Sequence, residues 1–141
     1  MTDDIVAIEQ LLNRYCHKLD QGDVEAVVGL FAADAVLIPE YEGSGEHAGR
    51  DAIRAWYTNY GRTVGGATRG LRHKISTVAI EVTGDRATSA CYLDADSLDA
   101  RTGQRSLAGG RYLDRLVRQD GVWLLQERRI VVDYASTLPA P

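Results

Sequence analysis

From Leu71 to the C-terminus the chain alternates apolar and polar residues in four long runs, and few folds can use such a pattern. The runs cover residues 71–82, 86–99, 105–118 and 121–135. A period of two sends successive side chains to opposite faces, as in a β-strand. The breaks are short: Gly84-Asp85, Arg101-Thr102-Gly103-Gln104, and Asp120-Gly121, a favoured hairpin dipeptide. Strands joined this tightly run antiparallel, because a parallel crossover needs about a dozen residues. The expectation is a strongly twisted antiparallel meander. It should bulge or bend at Gly109-Gly110, where two glycines sit inside a strand.

The first third has a helical rhythm. Ile5, Ile8, Leu11, Leu12, Tyr15, Cys16 and Leu19 recur at steps of three and four, giving one apolar stripe. Thr2 or Asp3 can cap this helix, and Gly22 suits the position just past its end. Asp23 then caps a second helix running through Phe31, with Val24, Val27, Val28 and Phe31 inward. Residues 35–38 read as a short strand stopped by Pro39, and residues 41–49 as a loop. A third amphipathic helix over residues 50–60 carries Ile53, Trp56, Tyr57 and Tyr60. Three N-terminal helices packed in a strongly curved, mostly antiparallel sheet make an α+β plan. A sheet bent over helices encloses a cone-shaped, deep pocket, the usual kind of small-molecule site. Residues 1–135 are expected to form a single domain and residues 136–141 a loose tail.

Composition narrows the partners. The chain has 141 residues, a net charge of −4 and 26% charged residues, with arginines scattered among acids. No concentrated basic patch suggests nucleic acid. No apolar run nears the roughly 20 residues of a membrane span. Met1-Thr2-Asp3-Asp4 is acidic where a signal peptide would be basic, so the expected location is cytoplasmic. Cys16 and Cys91 have no CxxC spacing and read as structural thiols.

His73 is the leading candidate for chemistry. Leu71, His73 and Ile75 share one strand face, and Arg72, Lys74 and Ser76 share the other. The charged face takes the water, so the imidazole points inward, either as a satisfied core residue or as a proton-transfer group. Asp20 ends the first helix, where the helix dipole disfavours an acid. It is either a surface residue capping the Gly22 turn or a partner for a group such as His73. Tyr15, five residues earlier, is either core or a phenol donor. Arg128 stands among Val122, Leu124, Ile130, Val132 and Tyr134 on a strand whose two faces are both mixed. It either pairs with a buried carboxylate or binds an oxyanion. Trp56, Tyr57, Tyr92 and Tyr112 are candidate aromatic walls or core. His17, His47 and His73 have no metal-site spacing, and the chain carries neither a P-loop nor a dinucleotide fingerprint. Gly43-Ser44-Gly45 lacks the nucleophile-elbow pattern.

Several short segments together carry a family resemblance. They are Tyr15-Cys16-His17-Lys18-Leu19-Asp20-Gln21-Gly22-Asp23, Leu30-Phe31-Ala32-Ala33-Asp34-Ala35 and Gly49-Arg50-Asp51-Ala52-Ile53. Leu71-Arg72-His73, Gly110-Arg111-Tyr112-Leu113-Asp114 and Asp120-Gly121-Val122-Trp123 with Arg128 follow in order. In order and spacing, over nearly the whole chain, they resemble the SnoaL-like branch of the NTF2-like superfamily. The resemblance implies a cone-shaped sheet around three helices. In that superfamily, scytalone dehydratase, bile acid 7α-dehydratase and a hexachlorocyclohexane dehydrochlorinase pair an Asp ending the first helix with a strand His. Asp20 and His73 match those positions. Tyr15 matches a tyrosine of the bile acid enzyme, and Arg128 an arginine of the dehydrochlorinase. The second pocket histidine of scytalone dehydratase has no counterpart here. The implied activity is cofactor-independent acid–base chemistry, of dehydratase or isomerase type, on a small, largely apolar hydroxylated or carbonyl substrate. His73, Asp20 and Tyr15 would be catalytic, with Arg128, Tyr57, Tyr112, Trp56 and Tyr92 about the substrate. No cofactor, nucleic acid or membrane partner is expected, and a homodimer or higher homo-oligomer through the sheet is. The alternative is a non-catalytic binding or assembly subunit of the same fold.

Overall fold

The computed structural model describes residues 2–141. α1 (Thr2–Asp20) buries Ile8, Leu11, Leu12, Tyr15 and Cys16 along its apolar stripe. The cap expected of Thr2 lies outside the described side chains, and Asp3 falls within the first turn rather than before it. α2 (Val24–Val28) is capped by Asp23, whose carboxylate accepts the Ala26 N–H at 3.1 Å.

The second helix is shorter than its apolar spacing predicts. It stops at Gly29, and Phe31 opens a strand instead of closing a helix. The Leu125 N–H donates to the Leu30 carbonyl at 2.8 Å, so the sheet claims this segment. Tertiary pairing here overrides a local pattern that fitted a helix. β1 (Phe31–Pro39) is therefore longer than residues 35–38, and it buries Phe31, Ala32, Ala35, Leu37 and Ile38. A two-residue strand, β2 (His47–Ala48), pairs with it from within the expected loop. α3 (Arg50–Thr63) buries Ile53, Trp56 and Tyr57.

The four long strands are β3 (Thr68–Thr83), β4 (Arg86–Asp99), β5 (Arg105–Gln119) and β6 (Val122–Leu138). They form the expected antiparallel meander. The sheet is mixed, however, with strand order β2-β1-β6-β5-β4-β3, because β1 adds to β6 in parallel. The sheet does not close on itself, and β3 is a free edge. Residues Ser136, Thr137 and Leu138, expected in the tail, pair with Leu107, Ser106 and Arg105.

Bulges decide which side chains face the helices. On β3 the register slips between Ser76 and Ala79, and the inward set changes from Leu71, His73, Ile75 to Val78, Ile80, Val82. On β6 the partner of Arg115 is Glu127 and that of Leu116 is Leu125, so Gln126 is an extra residue. The buried set changes there from Trp123 and Leu125 to Arg128 and Ile130. Both faces of this strand look mixed in the sequence because the inner face changes parity midway. A second slip, between Gly109 and Gly110, is the bulge expected from the glycine pair.

Candidate active site

Asp20 and His73 meet where α1 ends against the free edge of β3. An edge strand has N–H groups without a ladder partner. The His73 N–H uses this freedom to donate to the Asp20 carboxylate, at 3.2 Å to Oδ1 and 3.1 Å to Oδ2. The imidazole adds a third contact, Nδ1 to Asp20 Oδ1 at 2.6 Å. The helix-ending acid, ill placed for the dipole, thus has two donors facing it. His73 is 6% exposed in its side chain and Asp20 21%. A carboxylate oxygen only accepts, so the short contact places the imidazole proton on Nδ1 and leaves a lone pair on Nε2. The Tyr60 hydroxyl, from α3, lies 3.0 Å from that Nε2, placed to donate to it when the ring is in this neutral tautomer. The resulting order is Tyr60 O–H to Nε2, and Nδ1–H to Asp20.

This ring forms part of the wall of a cavity of about 270 Å³ between α1, α3 and the sheet. Tyr15, Tyr41, Trp56, Tyr60 and Tyr112 are its aromatic walls, with Leu93, Ile130 and Val132. Among the described residues no Lys, Arg, Asp or Glu lines it. It continues into an open trough of about 490 Å³ with which it shares Tyr60, Val64, Ala95, Ala108 and Ala135. Tyr60 is common to both spaces. Burial holds its phenol above the usual range, so it keeps its proton.

Behind the aromatic wall sits a buried charge. Arg128 is 0% exposed. It grips Asp114 with Nε and Nη2, each contact 2.8 Å, and Ser89 Oγ donates to the same carboxylate at 3.2 Å. Its guanidinium carbon lies 4.1 Å from the Tyr15 ring centre and 3.9 Å from that of Tyr112. Nη1 is buried with no hydrogen-bond partner among the described residues. Burial works against the charge and Asp114 more than offsets it, so the arginine stays protonated. The Tyr15 hydroxyl hydrogen-bonds to that of Tyr57. Burial raises the Tyr15 phenol and the Arg128 charge pulls it back down.

The eight candidate residues therefore fall into four places. His73, Asp20, Tyr15, Trp56 and Tyr112 gather at the cavity or touch a residue that does. Tyr57 lies one layer behind, 1% exposed and bonded to Tyr15. Arg128 lies behind the aromatic wall, paired with Asp114 as one of its two sequence readings has it. Tyr92 is corrected: it is 55% exposed and alternates outward with respect to Cys91 and Leu93 on β4. Tyr60 was legible only as part of an apolar stripe. The spacing Trp56-x-x-x-Tyr60, one turn apart, stacks the two rings at 16°, and by itself that spacing reads as core. Among the described residues no group of three or more His, Cys, Asp or Glu could hold a metal ion. His47 Nε2 lies 3.1 Å from Ser44 Oγ on the surface, but the nearby Glu42 accepts from the serine at 3.1 Å rather than orienting the imidazole.

Comparison with known proteins agrees with this architecture. No curated protein matches the sequence. Among solved structures, a candidate scytalone dehydratase from Novosphingobium aromaticivorans superposes with a TM-score of 0.84 at 23% identity, covering 100% of this chain and 94% of that one. A protein of unknown function with a cystatin-like fold from Nostoc punctiforme gives 0.79 at 28% identity, with 94% and 93% covered. A hexachlorocyclohexane dehydrochlorinase gives 0.83 at 18% identity, with 97% and 90% covered. The model of the SnoaL-like domain family matches residues 1–129, and the chain belongs to that family.

Proposed function

We propose that the protein is a cofactor-independent acid–base enzyme that eliminates water from a small, neutral, largely apolar hydroxy-carbonyl compound. The observation that carries this reading is the His73 imidazole, its Nδ1 held at 2.6 Å by Asp20 and its ring in the wall of an apolar cavity. Asp20 fixes the tautomer, and Nε2 is the base that takes the proton next to the substrate carbonyl. The Asp20 charge stabilises the imidazolium that forms. Tyr15, receiving a hydrogen bond from Tyr57, donates a hydrogen bond to the carbonyl oxygen as negative charge grows there and keeps its proton. Arg128 acts through the ring it covers, favouring a Tyr15 that gives up proton density. General acid–base assistance supplies roughly 10²–10⁴ in rate.

The lining argues for the substrate class. A carboxylate or phosphate entering this cavity would meet no cation, and the one buried guanidinium is already paired. Aromatic and aliphatic walls favour a flat ring compound. The name of one structural neighbour is that of a dehydratase and of another a dehydrochlorinase, both eliminations, which supports the reaction class.

The test is a panel of neutral aryl and bicyclic β-hydroxy ketones, followed by enone absorbance and by melting temperature. Enone formation above the buffer rate is the expected result. Ligands that raise the melting temperature with no member converted would identify a binding protein instead.

A further inference from the structure

An imidazole that takes a proton from carbon leaves a second need unmet: hydroxide is a poor leaving group and must be protonated as it departs. The cavity offers few donors for this. Tyr15 is committed to the carbonyl end, and the Asp20 carboxylate is taken up by His73. Tyr41, Tyr60 and Tyr112 also line the cavity, and of these Tyr60 has its hydroxyl on the base, 3.0 Å from Nε2, while also lining the open trough.

We propose that Tyr60 is a further catalytic residue, the general acid that protonates the leaving oxygen and is reset by His73; this rests on reading His73 as the base. The steps balance. The carbon–hydrogen bond beside the carbonyl breaks, its proton goes to Nε2, and its electron pair becomes the new carbon–carbon double bond. The carbon–oxygen bond breaks with its pair staying on oxygen, which takes the Tyr60 phenol proton and leaves as water. The imidazolium then returns its proton to the phenolate across the same 3.0 Å contact. One proton is taken from carbon by His73 and one is given to the departing oxygen by Tyr60, so no external acid or base is consumed.

The resting contact suits this cycle. With Nδ1–H held by Asp20, Nε2 accepts from Tyr60 before substrate arrives, and the same pair of atoms carries the proton back afterwards. Trp56 stacks on the Tyr60 ring, centroids 5.5 Å apart, and limits its swing. Burial keeps the phenol protonated between turnovers.

A change of leaving group separates this role from a positioning one. The probes are 4-hydroxy-4-phenylbutan-2-one and its acetate ester, whose carboxylate leaves without a proton. Tyr60→Phe removes only the hydroxyl. It should lower kcat for the alcohol by at least about 100-fold and leave the ester within about threefold of the unsubstituted protein. An equal loss on both probes, or no loss on either, overturns the assignment. His73→Ala should lose both. If it does while Tyr60→Phe affects the probes alike, the base reading stands and only Tyr60 falls. If His73→Ala retains both, or the unsubstituted protein converts neither, the proposal falls together with the reading beneath it.

Discussion

At the scale of single residues, the molecule keeps two buried charge systems apart. One is His73 with Asp20, open to a cavity; the other is Arg128 with Asp114, closed behind Tyr15 and Tyr112. The closed pair has the geometry of a structural element, since both side chains are 0% exposed. Removing one partner of such a pair strands a charge away from water, whereas replacing both with apolar groups of similar size can be nearly neutral. Asp114→Leu should therefore lose about 3–5 kcal/mol of unfolding free energy. The double variant Asp114→Leu with Arg128→Met should recover at least half of that loss in urea denaturation. A single variant as stable as the parent would show that the pairing contributes nothing. The residue-level signal in the sequence was real but incomplete. An inward arginine demanded a carboxylate, yet nothing in the spacing of Asp114 identified it before the strands were in register.

At the scale of elements, bulges and tight approaches shape the sheet over the helices. Gly121, at φ 79°, and Asp120, at φ 50°, form the β5–β6 hairpin that the Asp-Gly dipeptide announces. At Gly110 an added Cβ would lie 1.9 Å from the Val131 carbonyl oxygen, which is backbone and cannot step aside. At neighbouring Gly109 it would meet the ring of Tyr134, which is 62% exposed and free to swing. Gly110→Ala should lose more than about 3 kcal/mol and Gly109→Ala less than about 1.5, measured by the same denaturation. Equal losses would mean that the slip in register is not what demands the glycine. The strands, the hairpins and this bulge could be read from local chemistry. The end of α2 could not. Val24, Val27, Val28 and Phe31 fit a helix face equally well, and only the distant β6 turns Phe31 into a strand. The parity change at Gln126 was likewise hidden, which left the direction of Arg128 open.

At the scale of the whole molecule, four of the stretches that the fold brings to one cavity are the end of α1, the middle of α3, the first long strand and the last, with Tyr41, β4 and β5 completing the wall. Their segments in order and spacing already resembled the SnoaL-like family, and the six-stranded mixed sheet with three helices fits it. The first two of the four stretches could be anticipated from amphipathic stripes, and His73 from strand alternation. Tyr60 could not, because a tyrosine on a buried stripe looks like core until the strand opposite it is placed. Among the described residues no helix is long and apolar enough to cross a membrane. What ties the four stretches to one purpose is the claim that His73 is the base. The most direct check is turnover of 4-hydroxy-4-phenylbutan-2-one by the unsubstituted protein and by His73→Ala, with circular dichroism showing that both are folded. The account predicts that the variant loses at least about 100-fold in kcat while keeping its fold. A folded His73→Ala variant that eliminates water as fast as the parent would contradict it.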